Sequence, residues 1–434
     1  MKLVMVGTGY VGLVSGLCFA EFGFETICVD KDKKRLDILK KGKTPFFEPG
    51  LEDLLRKHFK TTKLLKLSSN LSNSMKNADV VFITVGTPTK RLENEADLTA
   101  VYKVAKEISK NINKYCLVVT KSTVPVGTTK RIKDIILQKV HKDNFDVVSN
   151  PEFLREGSAI NDFMRPDRVV IGTENSKAEN IIKEIYRPLY LLETPIISTT
   201  IEASEIIKYA SNSFLATKIA FINEVADLCE KVGANVQEVA KAMGIDKRIG
   251  SKFLHAGPGF GGSCFPKDIK AFSVTGKKYG VNLSIINSVN TSNEKRPIRI
   301  ASKIIKILKK NSKNHNIGFL GLSFKPNTDD IRDSTSIVIL KELVKKNFKV
   351  KCFDPKAMKN ARKSLTKVIF CKSAYEACKN STALIIGTEW NDFRALNFNK
   401  IKKDMKTPII FDLRNIYNKE EIEDIGIKYY GIGK

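Results

Sequence analysis

Paired cysteines, clustered histidines and long apolar runs are all missing from this 434-residue chain. Its 8 cysteines show no C-x-x-C spacing, which argues against ribbon-type metal sites, thioredoxin-like redox motifs and a disulfide framework. The 4 histidines are dispersed, so no metal centre is expected. No run approaches the ~18 apolar residues that a membrane span requires. The opening Met1-Lys2-Leu3-Val4-Met5-Val6-Gly7 lacks a cleavable apolar segment and leads straight into a strand and glycine turn. These features predict a cytoplasmic chain. Acidic residues are also in short supply, 47 against 74 Lys and Arg, for a net charge of +27. The basic residues are spread along the whole length without a basic–aromatic recognition motif, so no specific nucleic-acid partner is expected. A general positive field would instead attract small anionic substrates.

What is present begins at once. Lys2–Val6 reads as a strand, Gly7-Thr8-Gly9-Tyr10-Val11-Gly12 as a turn, and the residues through Phe22 as a helix. A second strand, Glu25–Val29, ends in Asp30. This is G-x-G-x-x-G in strand–turn–helix context, followed by an acidic residue. The glycines allow a pyrophosphate to approach a helix N-terminus, and Asp30 suits a ribose 2′-hydroxyl while repelling a 2′-phosphate. NAD is therefore expected over NADP, although Lys31, Lys33 and Arg35 soften the preference.

Further strands follow at Val80–Val85, Leu117–Thr120, Asp146–Val148 and Val169–Gly172, the last closing the sheet, with Pro195–Thr200 leading out of it. Turns at their carboxyl ends line the ligand crevice of such a sheet. Glu152 and Glu156, four apart in one of these turns, are read as acid–base candidates or as solvated carboxylates. Residues 201–230 form one long helix whose apolar residues, Phe214, Leu215, Ile219, Phe221, Ile222, Val225 and Leu228, cover most of its circumference. That pattern predicts burial on all sides. Lys208 and Asn212 share one face of it. A shorter helix is expected at Gly233–Gly244 and another at Ile285–Lys310, kinked or restarted at Pro297.

Between them lies Gly257-Pro258-Gly259-Phe260-Gly261-Gly262-Ser263-Cys264-Phe265-Pro266-Lys267-Asp268. Four glycines in six residues let the backbone close tightly on a ligand. Pro266 marks a helix start, so Cys264 sits by a helix N-terminus that favours thiolate. A drop of one unit from a free pKa of about 8.5 raises the thiolate fraction at pH 7 from roughly 3% to roughly 25%. Asp268, four residues on, is expected on the same side as Cys264. The last third repeats an α/β unit, with strands at Asn316–Leu320, Lys349–Phe353, Ala383–Gly387 and Ile409–Leu413, but its turn Gly321-Leu322-Ser323-Phe324-Lys325-Pro326 is not a dinucleotide fingerprint.

The predicted fold is α/β, two Rossmann-like doubly wound domains joined by a long central helix and helical middle region. The expected division is 1–198 for NAD, 199–312 for the central helical region with the cysteine loop, and 313–434 for the C-terminal α/β domain.

Six pieces fall in a definite order. They are the glycine fingerprint, Val85-Gly86-Thr87-Pro88-Thr89, Ser122-Thr123-Val124-Pro125, Asn150-Pro151-Glu152-Phe153-Leu154-Arg155-Glu156-Gly157 followed by the Lys208/Asn212 helix, Gly261–Asp268, and Phe324-Lys325-Pro326 with Asp329-Asp330-Ile331-Arg332. Together they resemble the UDP-glucose/GDP-mannose dehydrogenase family over essentially the full chain, most closely its UDP-glucose branch. The resemblance implies an NAD-dependent, four-electron oxidation of UDP-glucose to UDP-glucuronate through a thiohemiacetal and thioester on Cys264. It assigns oxyanion stabilisation to Lys208 and Asn212, and water positioning and acid–base work to Asp268, Glu152 and Thr123. It implies NAD contacts from Gly7, Gly9, Tyr10, Val11, Gly12, Asp30, Arg35, Thr87, Thr123, Glu156, Lys267 and Arg332. For the UDP-sugar it implies Glu152, Phe153, Leu154, Arg155, Glu156, Lys208, Asn212, Arg248, Phe253, Leu254, His255, Ala256, Gly257, Gly261, Phe324, Lys325 and Arg414, the last a candidate for a neighbouring subunit's site. A homodimer through the central helix is the expected assembly. Dehydrogenases of UDP-N-acetylmannosamine or GDP-mannose share the outline. A two-electron β-hydroxyacid dehydrogenase would need neither Cys264 nor a second α/β domain, and a non-catalytic nucleotide-binding protein would need neither Cys264 nor Lys208.

Overall fold

A computed structural model describes residues 1–90, 93–311 and 316–434. The boundary expected between residues 312 and 313 lies outside the described residues. By contacts the chain divides into two compact units, Met1–Ser211 with Val274–Val281, and Asn212–Ser273 with Asn282–Lys434. Among the described residues no helix is long and apolar enough to cross a membrane.

The first unit carries eight strands: β1 (Lys2–Val6), β2 (Glu25–Val29), β3 (Leu65–Ser68), β4 (Val80–Ile83), β5 (Cys116–Thr120), β6 (Phe145–Ser149), β7 (Val169–Gly172) and β8 (Ile196–Thr199). They lie in the order β3-β2-β1-β4-β5-β6-β7-β8, parallel except where β7 meets β6. Helices cover both faces, which is why the strands read as unbroken apolar runs rather than alternating ones. Leu3, Met5, Val80 and Phe82 point into one core, while Val4, Val6, Val81 and Ile83 point into the other. The order reverses between β1 and β4, the switch point where such sheets bind ligands.

The second unit repeats the plan with β9 (Asn316–Leu320), β10 (Lys349–Phe353), β11 (Ile369–Phe370), β12 (Ala383–Ile386), β13 (Ile409–Asp412) and β14 (Lys428–Gly431), all parallel in the order β11-β10-β9-β12-β13-β14. The likeness extends to the carboxylate that ends the second strand of each unit. Asp30 accepts from the Thr8 backbone N–H at 2.8 Å; Asp354 accepts from Leu322 and Ser323 N–H at 2.7 and 3.1 Å. Asp354 also accepts from Lys356 and Ala357 N–H and from the Trp390 indole N–H at 3.2 Å. It is 1% exposed, against 8% for Asp30. The second unit shares this frame but carries Gly321-Leu322-Ser323-Phe324-Lys325-Pro326 in place of the glycine fingerprint.

Four expectations need correction. Pro195–Thr200 does not simply leave the sheet: Ile196–Thr199 pairs in parallel with β7 as the edge strand, so Val169–Gly172 is not the last. Pro297 does not restart its helix, which runs from Ser284 to Asn311 with the proline inside it. The helix expected from Gly233 begins at Val236, because Asn235 caps it through its side chain and Gly233 takes a left-handed φ of 75°. The long helix, Ile201–Val232, is not buried all round: Phe214, Phe221 and Leu228 are 66%, 51% and 62% exposed. The seven apolar positions show where the helix can be buried, and a single chain covers only part of that circumference.

Candidate active site

Each fingerprint glycine has its own reason. Gly7 has a φ of 107°, and a Cβ there would stand 3.0 Å from the Thr84 carbonyl oxygen. A Cβ on Gly12 would lie 1.9 Å from the Gly7 carbonyl oxygen, so helix and turn could not close. A Cβ on Gly9 would meet nothing within 4 Å, leaving the open approach that a diphosphate needs at the start of the helix Tyr10–Glu21. Asp30 pins this turn, accepting from the Thr8 hydroxyl at 2.6 Å and pairing with Arg35 at 3.1 Å. Burial would raise its pKa, but the bonds from Thr8 and Asp32 N–H and the Arg35 charge outweigh that and hold it below the ordinary carboxylate value. The Thr87 hydroxyl donates to the Thr123 carbonyl at 2.9 Å, which brings two expected cofactor residues together. These residues fit NAD.

The loop after β6 is held from several sides within the first unit. Lys208 Nζ lies 3.3 Å from Glu152 Oε1, both nearly buried. Glu152 also accepts from the Leu154 N–H. The Phe153 ring lies under the Arg168 guanidinium at 3.6 Å and 5.1 Å from Lys208 Nζ. Glu48, 4% exposed, accepts from Gly157 N–H at 2.6 Å, from Ala159 N–H at 2.8 Å and from the Tyr10 hydroxyl. Burial first, then that bond and the charges of Glu48 and Glu156, push the Tyr10 phenol up. Arg155 turns outward, paired with Asp162 at 2.5 Å. Glu205, one turn before Lys208, accepts from Gly127 and Thr129 N–H at 2.7 and 2.8 Å, tying the helix that follows the Thr123 turn to the long helix. Burial raises its pKa to about 7 against those bonds.

In the second unit, Cys264 immediately precedes the helix Phe265–Lys278 and is partly exposed, whereas the other seven cysteines are buried. Its Sγ lies 3.6 Å from the Ser263 hydroxyl. Asp268, fully buried, accepts from Asn212 Nδ2 at 2.7 Å and pairs with Lys267 at 2.5 Å. The glycine loop is shaped by its neighbours: a Cβ on Gly261 would stand 2.2 Å from the Asp333 carbonyl oxygen, and one on Gly262 2.7 Å from the Phe324 ring. Arg414 donates to the Phe324 carbonyl at 3.2 Å, and its own carbonyl bonds His255 Nε2 at 2.6 Å. Gly257, Gly261, His255, Phe324 and Arg414 therefore form one wall within this unit, with Leu254 and Ala256 buried behind it. Lys325 Nζ lies 5.5 Å from the centre of the Phe324 ring. Phe253 carries a φ of 67° and stands 6.2 Å from Phe265. Arg248 and Arg332 project outward, held by Asp246 and Asp330.

Sequence reasoning missed Glu48, Lys121, Arg168 and Glu205. Glu48 sits in Phe46-Phe47-Glu48-Pro49-Gly50, and its partners Tyr10, Gly157 and Ala159 lie 38, 109 and 111 residues away in the chain.

The strand–turn–helix of the first unit, with its fingerprint glycines and Asp30, defines a dinucleotide-binding α/β unit. Three family descriptions match the chain in order: the UDP-glucose/GDP-mannose dehydrogenase NAD-binding domain over 1–190, the central domain over 202–295 and the UDP-binding domain over 318–419. The chain belongs to this family. It is 49% identical over 436 residues to the UDP-glucose 6-dehydrogenase of Rhizobium meliloti, covering both chains fully. It is 46% identical to that of Rickettsia prowazekii, covering all of this chain and 99% of the relative. Among solved structures, a UDP-glucose dehydrogenase from Pyrobaculum islandicum matches with a TM-score of 0.91 at 34% identity, covering all of this chain and 97% of that one.

Replacing Gly12 with alanine is expected to weaken NADH binding at least about tenfold, since the methyl group collides with backbone rather than a movable side chain. Fluorescence titration with NADH checks this, and unchanged affinity contradicts the reading of the turn.

Proposed function

We propose that this chain oxidises UDP-glucose to UDP-glucuronate with two equivalents of NAD. The observation that carries the reading is Cys264, the one cysteine of the eight that is not buried, at a helix start in the glycine loop. The names of the relatives at 46–49% identity support UDP-glucose over UDP-N-acetylmannosamine and GDP-mannose.

Gly7, Gly9, Tyr10, Val11, Gly12, Asp30, Arg35, Thr87 and Thr123, with Glu156, Lys267 and Arg332, would hold NAD, which would supply a hydride acceptor for each of two oxidations. The first converts the C6 alcohol to an aldehyde. Cys264 Sγ adds to that carbon, forming a C–S bond and a thiohemiacetal oxygen. Lys208 and Asn212, four apart on one rigid helix, stabilise the negative oxygen. Loss of the second hydride leaves a thioester. Water then breaks the C–S bond, releasing the carboxylate and restoring the thiol. Asp268, Glu152 and Thr123 position that water and move its protons. Asn212 is already bonded to Asp268, so this pair couples the oxyanion donor to the proton-handling carboxylate.

The UDP-sugar is assigned to Glu152–Glu156, Arg248, Phe253–Gly257, Gly261, Phe324, Lys325 and Arg414. The functional division proposed is 1–198, 199–312 and 313–434. The exposed Phe214, Phe221 and Leu228 on the central helix support a homodimer through that helix. Eight free thiols suit a reducing cytoplasm.

Two NADH should form per UDP-glucose consumed, and a ratio of one would favour a two-electron dehydrogenase. Cys264→Ser is expected to bind NAD and UDP-glucose yet make no uronate; normal uronate production by that variant would rule the mechanism out. Phe221→Glu should shift the sedimenting species from dimer toward monomer, whereas a native chain that sediments as a monomer removes the dimer proposal.

A further inference from the structure

Lys121 stands directly after β5 and is 3% exposed, an ammonium group in the interior of the first unit. Its Nζ donates to Asn150 Oδ1 at 3.1 Å and to the Tyr186 hydroxyl at 3.0 Å, and both partners are neutral. Tyr186 in turn donates to the same Asn150 oxygen at 2.9 Å. The rings of Phe163 and Tyr186 lie 5.8 and 5.7 Å from the nitrogen. Asn150 is fixed further by its backbone N–H on the Thr120 carbonyl and its amide on the Val170 carbonyl, at 3.0 and 2.8 Å. Two residues later the chain presents Glu152.

A buried charge with only neutral direct partners destabilises a fold relative to an apolar side chain of the same size. Packing alone therefore gives no reason for a lysine here. The charged groups that reach it are Glu152 on the loop after β6 and Lys208 on the long helix, while Cys18 on the helix Tyr10–Glu21 is a thiol that burial keeps neutral. Both charged groups are assigned to the chemistry above.

We propose that Lys121 is a positioning residue for the Glu152–Lys208 pair: its ammonium locks Asn150 and Tyr186 to aim the Glu152 turn, and it adds a second positive charge that attracts Glu152. This rests on the functional reading given above. Burial, against the attraction of Glu152, lowers the Lys121 pKa to about 8, so the charge is lost just above neutral pH. The turnover rate should accordingly decline on that alkaline side.

The test measures kcat, both KM values and the pH profile of kcat for the full-length chain with UDP-glucose and NAD, alongside thermal melts. Lys121→Met is expected to lower kcat about tenfold at pH 7.5, with KM values within about twofold of native, and to lack the alkaline decline. Tyr186→Phe removes one acceptor of the ammonium while preserving the ring, and should move the alkaline decline to lower pH. A folded Lys121→Met chain with native kcat and native pH profile overturns the proposal. Should that variant fail to fold, a Tyr186→Phe chain with an unmoved profile overturns it instead. A native chain inactive on UDP-glucose would refute the functional reading rather than this one, and the same comparison is then run with whichever nucleotide sugar the native chain oxidises.

Discussion

The hydrogen bond from Asn212 to Asp268 is the constraint on which the arrangement around Cys264 in the second unit depends. At 2.7 Å and out of solvent, it joins the long helix to the helix that begins just after Cys264. A carboxylate held in the interior is tolerated only when its oxygens are occupied, and here Lys267 takes the other one. Asp268 N–H also closes the first turn on the Cys264 carbonyl at 2.8 Å. The backbone of the cysteine is thereby fixed to the same residue whose side chain fixes the helix, while the cysteine stays partly exposed.

A comparable economy runs through the first unit, where buried charges anchor loops. Glu48 gathers the Gly157 turn and Tyr10, Glu205 caps the helix after Gly127, and Asp30 holds the glycine turn. Each uses a carboxylate to satisfy backbone N–H groups that a turn leaves unpaired. The crevice is therefore built from rigid loops at the carboxyl ends of the strands, a suitable setting for chemistry that requires several groups held within a few tenths of an ångström.

The sequence was most legible where one residue type does one local job. The fingerprint glycines, Asp30 and the strands around them could be read because backbone sterics and a short spacing dictate them. The helix start beside Cys264 was legible through Pro266. Lys121, Glu48 and Arg168 were not, because each acquires its meaning from partners brought close only by the sheet. The edge strand Ile196–Thr199 escaped because half-exposed edges lack the unbroken apolar pattern of the inner strands. The long helix misled in the opposite sense: an apolar circumference marks surface to be buried but does not say whether the same chain buries it.

The most direct test is to stop the reaction with acid during turnover of UDP-glucose and NAD and map the peptides by mass spectrometry. The account predicts a transient UDP-sugar acyl adduct on the peptide containing Cys264 and on no other. Full turnover with that peptide always unmodified, or with the adduct on a different residue, would contradict it.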